Sequence, residues 1–517
     1  MYNVKKEELT RMEYLLGVDL GTSGTKTVLF DIEGRAVAGS TSEYDFEQPQ
    51  NGWAEQEPQL WWDAVQQTIK TVMETSRVDP ECIRGVGVSG QMHGLVMLDE
   101  RGEVLRKAII WCDGRTGKQC EEIETRVGRE RLVELTGNPA LPSFTASKLL
   151  WVRENEPEIY RRCRMVLLPK DFIRYKLTGK YGQEVSDASG TNLLDIRQRD
   201  WSEEILRKLE IDPALLPQVQ ESTESAGAIS QWAAQRTGLS TKTLVCMGGG
   251  DNACAAVGTG VIAEGRAFTT VGTSGVIFAH TDSAHIDPGC RVHTFCHAVP
   301  GAYCVMSCTL AAGMSLKWFR DSFCEEEKAE ARAEGIGVYD LMSRRASSVP
   351  AGCEKLLFLP YLMGERSPVL DEKARGVFFG VSAIHKKEHF IRAVMEGVMY
   401  AQRHCLSVFH EMGITPQVMY ACGGGARSPF WRQMMADVYQ ETVTTLRSEE
   451  GPALGAAILA SVAAGLYPTV AAACEKMVCP GVSCAPQETA DVYTPYYELY
   501  TSLYRMMKAA FHQLFTL

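Results

Sequence analysis

The sequence predicts an α/β protein of two domains that face each other across a ligand cleft. Three observations carry that expectation. A chain of 517 residues exceeds what one hydrophobic core supports and fits two large domains or three smaller ones. Residues 15–31 read as two short apolar strands joined by Gly21-Thr-Ser-Gly24, and residues 267–279 repeat the plan around Gly272-Thr-Ser-Gly275. Two copies of a rare turn, one per half, mark an internal duplication. A strand running into three glycines also recurs, at residues 243–250 and 417–425.

Both hairpins suit a phosphate. Glycines let backbone N–H groups approach an anion, and Thr22, Ser23 and Thr25 add hydroxyls. Asp19 closes the first strand, where a carboxylate is tolerable beside phosphates if a divalent cation lies between them. The plainer alternative is an ordinary hairpin with a polar turn. The second copy has Thr270 where the first has Asp19, so only the first half brings a carboxylate. That asymmetry is expected of an active site and not of a symmetric scaffold.

Composition narrows the class. Hydrophobic content of 45% and charged content of 23% are ordinary for a globular protein and argue against long disordered segments. A net charge of −11 with no stripe of Lys and Arg argues against nucleic acid, so any anion must be bound locally. Seventeen cysteines at irregular spacing read as reduced thiols of a cytosolic protein. Cys290, His293, Cys296 and His297 lack a second ligand cluster and alternate as a strand does, against a zinc site. Residues 1–13 are polar, unlike a signal or transit peptide. Residues 452–474 carry no charge, but their small residues and the break at Tyr467-Pro468 favour a buried helix and turn over a membrane span.

In chain order, a turn at residues 31–35 leads to a third strand, and an amphipathic helix is expected over 60–75. Residues 84–90 form a further strand that ends in Gly90-Gln-Met-His-Gly94. Strand-end loops are where α/β proteins place ligand contacts. The flanking glycines favour bringing Met92 and His93 into a cleft, against the plainer reading of a structural histidine. Helices are expected over 146–154 and 170–177, the second closed by Gly179, with a polar turn over 186–191. Residues 243–253 pass from a buried strand through three glycines to Asp251 and Asn252, ahead of a small-residue helix over 253–261. Asp251 is then a base or merely an N-cap, and a capping carboxylate turned inward is unavailable as a base. In the second half residues 356–361 and 376–380 frame a polar loop, and a long helix is expected over 387–411. Residues 417–428 repeat strand, glycines and helix start, a surface for a flat base or a ribose.

On these residues the chain resembles the FGGY family of carbohydrate kinases from about residue 14 to the last helix. One family signature stands as Ser143-Phe-Thr-Ala-Ser-Lys-Leu-Leu-Trp-Val-Arg-Glu-Asn155 and the other as Gly380-Val-Ser-Ala-Ile-His-Lys-Lys-Glu-His-Phe-Ile-Arg-Ala-Val-Met-Glu396. Within the family, Gly90-Gln-Met-His-Gly94, residues 167–171 and Gly248-Gly-Gly-Asp-Asn252 are similar to the members that phosphorylate D-xylulose. The resemblance implies an actin-like fold of two ribonuclease-H-like domains, residues 14–262 and 263–517, with sugar and ATP between them. It implies Asp251 as catalytic base, with Met92, His93, Asp251 and Asn252 touching the ketose. Asp19 becomes the second essential carboxylate, organising Mg2+, through water, and the phosphates. Gly21, Thr22, Ser23, Gly272 and Thr273 are implied to line the phosphates, and Gly423, Gly424 and Gly425 to lie near adenosine. ATP and Mg2+ are the implied cofactors, a small sugar the partner, a homodimer the assembly and the cytoplasm the location. Cys112 departs from the family pattern, which often has Asn there. The rival readings are a kinase of another ketose or polyol, an actin-like ATPase, for whose peptide-binding domain no residues remain, and a sugar sensor, against which both Asp19 and Asp251 argue.

Overall fold

The computed structural model describes residues 12–448 and 450–517, so the polar stretch read over residues 1–13 lies almost wholly outside the described residues. The first sheet grows from the N-terminal hairpin. β1 (Tyr14–Leu20) is apolar and almost fully buried, pairs antiparallel with β2 (Gly24–Asp31), and β2 pairs with β3 (Ala36–Glu43). Helix α1 (Pro58–Ser76), started by Pro58, buries Trp61, Trp62, Val65 and Ile69 on the sheet at helical spacing. On the other flank of β1 runs the parallel β4 (Ile83–Gly90). Beyond it lie β5 (Ser225–Ala228) and β6 (Leu244–Cys246), in the order β5-β6-β4-β1-β2-β3, and β7 (Gly249–Gly250) pairs with the end of β4. Helix α2 (Asp251–Gly258) follows at once.

The second sheet repeats the arrangement. Its hairpin is β8 (Arg266–Val271) and β9 (Gly275–Thr281), followed by β10 (His293–Cys296) and β11 (Tyr303–Thr309). Helix α3 (Lys387–Glu411) then leads to β12 (Val418–Cys422), α4 (Gly423–Arg427) and β13 (Val443–Leu446). Helices α5 (Gly451–Ala463) and α6 (Val470–Met477) precede β14 (Pro480–Cys484), and the strand order is β10-β11-β9-β8-β12-β13-β14. Counting outward from each hairpin, β4 matches β12 and β6 matches β13. The two triple glycines are therefore not counterparts, as the sequence pattern has them: Gly423 to Gly425 follow β12 and correspond to the Gly90–Gly94 loop. The counterpart of Gly248 to Gly250 is the stretch after β13 that enters α5.

Helix α5 packs back onto the first sheet, although it lies in the second half of the chain. A Cβ at Gly17 would stand 1.9 Å from the Ala453 carbonyl oxygen, and one at Gly87 1.9 Å from that of Ala456. It also packs along α2, where a Cβ at Gly258 would meet the Gly451 oxygen at 1.9 Å and one at Gly455 the Cys254 oxygen at 1.8 Å. The uncharged stretch is thus a buried helix and turn, its small residues setting backbone against backbone. Among the described residues no helix is long and apolar enough to cross a membrane.

Elsewhere local chemistry explains the differences from expectation. The polar turn over 186–191 is helical, Val185–Ala188 then Ser189–Thr191, because the Glu184 carboxylate accepts from the N–H groups of Ser186 and Asp187 at 2.8 and 2.9 Å. The small-residue helix spans Asp251–Gly258 and so starts two residues earlier than read. None of the seventeen cysteines, all among the described residues, is in a disulfide. His293 lies in β10 with Nδ1 2.8 Å from Asn138 Oδ1, and His297 Nε2 lies 3.0 Å from the Val261 carbonyl oxygen.

Candidate active site

Strand register assembles the carboxylates. Asp19 sits in β1 opposite Lys26 of β2 and beside Ser89 of β4, and Ser89 is paired in turn with Gly249 of β7. Two strand spacings therefore separate Asp19 from the strand that presents Asp251, about 10 Å of backbone that two inward side chains can close. Ser89 Oγ donates to Asp19 Oδ1 at 3.1 Å. Lys26 Nζ reaches across to Glu450, the residue before α5, at 2.6 Å.

Asp251 is not the N-cap of its helix. Gly250 holds that position and Asp251 is the first helical residue. Its Oδ1 accepts from Asn252 N at 2.7 Å and Asn252 Nδ2 at 2.9 Å, leaving Oδ2 without a partner among the described residues. Burial, reinforced by the charge of Asp19, pushes Asp251 up to about 7. Burial likewise pushes Asp19 up to about 6, opposed by Ser89 and Lys26. Carboxyl groups raised in this way hold their protons more tightly in the folded state. Their contribution to stability is present at low pH and is lost as pH rises through the raised values. Ionising both groups at neutral pH therefore works against folding.

The strand end carrying Asp251 is anchored from below. Gly250 N donates to Ser186 Oγ at 3.1 Å, and the hydroxyls of Ser186 and Ser222 donate to Glu184 at 2.9 and 2.7 Å. Lys170 lies 3.5 Å from the same buried carboxylate. Met92 is wedged beside this turn, since a Cβ at Gly250 would stand 2.9 Å from Met92 Cγ and one at Gly190 3.1 Å from Met92 Cε. Only glycines leave that room.

His93 takes a left-handed backbone, φ 67°, and Lys148 Nζ donates to its carbonyl oxygen at 2.8 Å. Its ring stacks on Phe144 at 4.5 Å, with Nδ1 2.7 Å from the Gly190 carbonyl oxygen. That acceptor requires the proton on Nδ1, so Nε2 is left as a lone-pair acceptor. Burial, with the Lys148 charge, holds the imidazole well below its usual range and hence neutral.

The hairpins hold a surprise in their donors. The N–H of Gly21 is used inside its own turn, on the Gly24 carbonyl at 2.9 Å, and that of Gly272 on Ser274 at 3.1 Å. The amides left without partners among the described residues are those of Thr22, Ser23, Thr273 and Ser274. The glycines act as turn formers, and the unengaged donors lie one residue further on. The Thr22 hydroxyl accepts from Trp111 Nε1 at 2.8 Å and donates to Gln91 at 3.3 Å, while Gln56 Nε2 donates to the Thr22 carbonyl at 2.7 Å. Thr25 corrects the sequence reading. It is fully buried, with its hydroxyl 3.1 Å from Tyr44 Oη, so it offers no group to the cleft.

A cavity of about 650 Å³ opens beside the carboxylates and runs between the two halves. Asp251, Asn252, Thr270, Gly423, Gly424 and Ser448 are among the residues that line it, Thr270 lying beside Cys422 in strand register. Gly425 lies behind the wall, where a Cβ would stand 2.7 Å from Val271 Cβ. Of the residues singled out in the sequence, the structure brings Asp251, Asn252, Gly423 and Gly424 around one space. It sets Asp19 and the first hairpin at its side, and Met92 with His93 on the far side of Gly250. Lys26, Ser89, Ser274 and Lys148 escaped notice, because their link to the site is strand register or a contact across the chain and not a local motif. Among the described residues no three His, Cys, Asp or Glu side chains form a metal cage. One or two carboxylates beside a phosphate site fit Mg2+, which keeps most of its waters and leans on substrate phosphates.

Comparison with known proteins identifies the family. The family model described as FGGY family of carbohydrate kinases, N-terminal domain, matches residues 14–258, and its C-terminal counterpart matches residues 267–464. A protein of Bacillus subtilis named xylulose kinase is 37% identical over 501 residues, covering 96% of this chain and 98% of its own. One of the same name from Escherichia coli is 40% identical over 450 residues, covering 87% of this chain and 90% of its own. A crystal structure described as a xyloylose kinase from Brucella ovis superposes with a TM-score of 0.88 at 34% identity, over 96% of this chain and 100% of that one.

Proposed function

The chain belongs to the FGGY family of carbohydrate kinases, ATP-dependent enzymes of actin-like fold, and we propose that it transfers the terminal phosphate of ATP to D-xylulose, giving D-xylulose 5-phosphate. The observation that carries the reading is Asp251, with an unengaged Oδ2 at a cavity between the halves, set between Asp19 and the Met92–His93 loop. Met92, the Nε2 of His93, Asp251 and Asn252 hold the ketose with its primary hydroxyl toward Asp251. A sugar hydroxyl is far less acidic than any carboxyl group, so Asp251 does not strip it beforehand. The transition state for phosphoryl transfer is loose, and the proton leaves late, onto Oδ2.

The amides of Thr22, Ser23, Thr273 and Ser274 are aimed at phosphate oxygens and need no reorganisation during transfer. Gly423 and Gly424, with Gly425 behind them, form the wall against adenosine. Asp19, with Asp251 beside it, would hold Mg2+ through water, and the ion when bound neutralises charge on the phosphates. The same reading divides the chain at 262 and 263, with α5 and α6 returning to the first domain. It also makes the protein a cytoplasmic homodimer that works on small molecules and not on nucleic acid, in keeping with its charge of −11 and free thiols.

Closure of the cleft around the sugar excludes water as a rival acceptor. Incubation with ATP, Mg2+ and D-xylulose, followed by 31P NMR, is expected to give one sugar phosphate with phosphorus coupled to the C5 protons. ATP hydrolysis without sugar is expected to run at about a hundredth of the transfer rate or less. Hydrolysis as fast as transfer, or phosphate on another carbon, would count against the reading.

A further inference from the structure

One cation near this cleft has no assigned task. Glu365 and Asp371 exchange backbone hydrogen bonds of 2.9 Å and close a tight loop, within which Leu370 N donates to the Arg366 carbonyl at 2.6 Å. Glu365 and Ser367 are 3% and 1% exposed. Glu365 Oε1 accepts from Leu310 N at 2.8 Å, and Ser367 N donates to the Cys308 carbonyl at 3.1 Å. Both neighbours are thus tied to the end of β11, whose Cys308 and Thr309 pair with Val276 and Gly275 at the start of β9. Arg366, between them, is half-buried, its backbone held beside the second hairpin by these two neighbours.

Its surroundings identify the space it faces. The charge of Arg366 helps to depress the titration of His93 in the sugar loop and of His293 in β10. Cys308 feels both Arg366 and Asp251. The guanidinium therefore lies within electrostatic reach of the His93 loop and of Cys308, which pairs with Val276 at the start of β9 in the second hairpin. Among the described residues the guanidinium has no hydrogen-bond acceptor and no ion pair; the backbone N–H of Arg366 is engaged on Glu365 and its carbonyl on Leu370 N. The adjoining Glu365 offers little compensation, since burial pushes it up to about 8. A guanidinium without an anion, on backbone tied beside a hairpin and within electrostatic reach of the His93 loop, matches the planar oxygens of a phosphoryl group in flight.

We propose that Arg366 is a catalytic residue of the phosphoryl transfer, its guanidinium donating to the phosphate oxygens as the group passes from ATP to the ketose and to the phosphate of the product. The inference rests on the sugar-kinase reading above. It assigns the second half of the chain a charged group in the reaction, where the hairpins supply only amides and hydroxyls.

The test compares wild type with Arg366→Gln and Arg366→Lys. Turnover is measured at saturating ATP and D-xylulose, and binding of D-xylulose and of D-xylulose 5-phosphate by calorimetry. Arg366→Gln is expected to lose about 10²–10³-fold in kcat, with KM for D-xylulose changed by less than about threefold. It is expected to bind the sugar phosphate about tenfold more weakly or worse, while binding the free sugar as before. Arg366→Lys keeps the charge without the fork and is expected to fall between. Unchanged turnover in Arg366→Gln, or equal weakening of both ligands, would overturn the proposal. Should Arg366→Gln fail to fold, the Lys variant decides by the same ratio of the two affinities. Wild type inert toward D-xylulose would instead sink the substrate reading.

Discussion

Asp251→Asn is expected to lower kcat on D-xylulose by about 10³-fold, within the range of roughly 10²–10⁴ for loss of a positioned base. KM for the sugar should move little, because Asn keeps the shape and can still contact Asn252 and a sugar hydroxyl. The wild-type pH profile belongs to the same prediction. Asp251 must be ionised to receive the proton, and burial with the Asp19 charge raises it to about 7. The logarithm of kcat/KM should therefore climb with pH and level off only above about 7, where an unperturbed carboxylate would give a limb near pH ~4. A flat profile from pH 5 to 8, or an Asn variant within about tenfold of wild type, would remove Asp251 from the role of base.

The second large effect is on stability. Gly455→Ala is expected to destabilise the protein by about 3 kcal/mol or more, the upper part of the range for overpacking. The new methyl would stand 1.8 Å from the Cys254 oxygen and 2.9 Å from Gly258 N, both backbone atoms that cannot step aside singly. Relief requires α5 to move away from α2. Because α2 begins with Asp251, activity should fall along with the denaturation midpoint. Gly117→Ala serves as control, since a Cβ there meets nothing within 4 Å and its backbone is not left-handed. Equal midpoints for the two variants would show that the contact between these helices does not hold the halves together.

These two expectations differ in how far the sequence alone could reach them. The place of Asp251 at a strand end was legible, because three glycines before an acid and an amide form a local motif; its part as base came only with the family resemblance. The hairpins were legible for the same reason. Their donors were not, since only the built turn shows Gly21 and Gly272 spending their own N–H groups inside it. Thr25 misled because alternation along β2 turns it inward to Tyr44. The two glycine triplets looked alike as text, and strand order alone reveals that they occupy different places. Gly455 and Cys254 lie some two hundred residues apart, as Lys26 and Glu450 lie more than four hundred apart, and nothing local announces either contact. What the sequence withholds in this protein is mostly the return of α5 to the first sheet.

The measurement that bears most directly on the whole account is ADP release from wild-type protein with ATP and Mg2+, offered separately D-xylulose, D-ribulose, L-ribulose and glycerol. The account predicts the highest kcat/KM on D-xylulose, by about tenfold or more over the others, the margin that differently placed hydroxyls at a polar subsite provide. A better acceptor among the other three would contradict the part assigned to Met92 and His93. Response to none of the four would contradict the sugar-kinase mechanism built on Asp19 and Asp251.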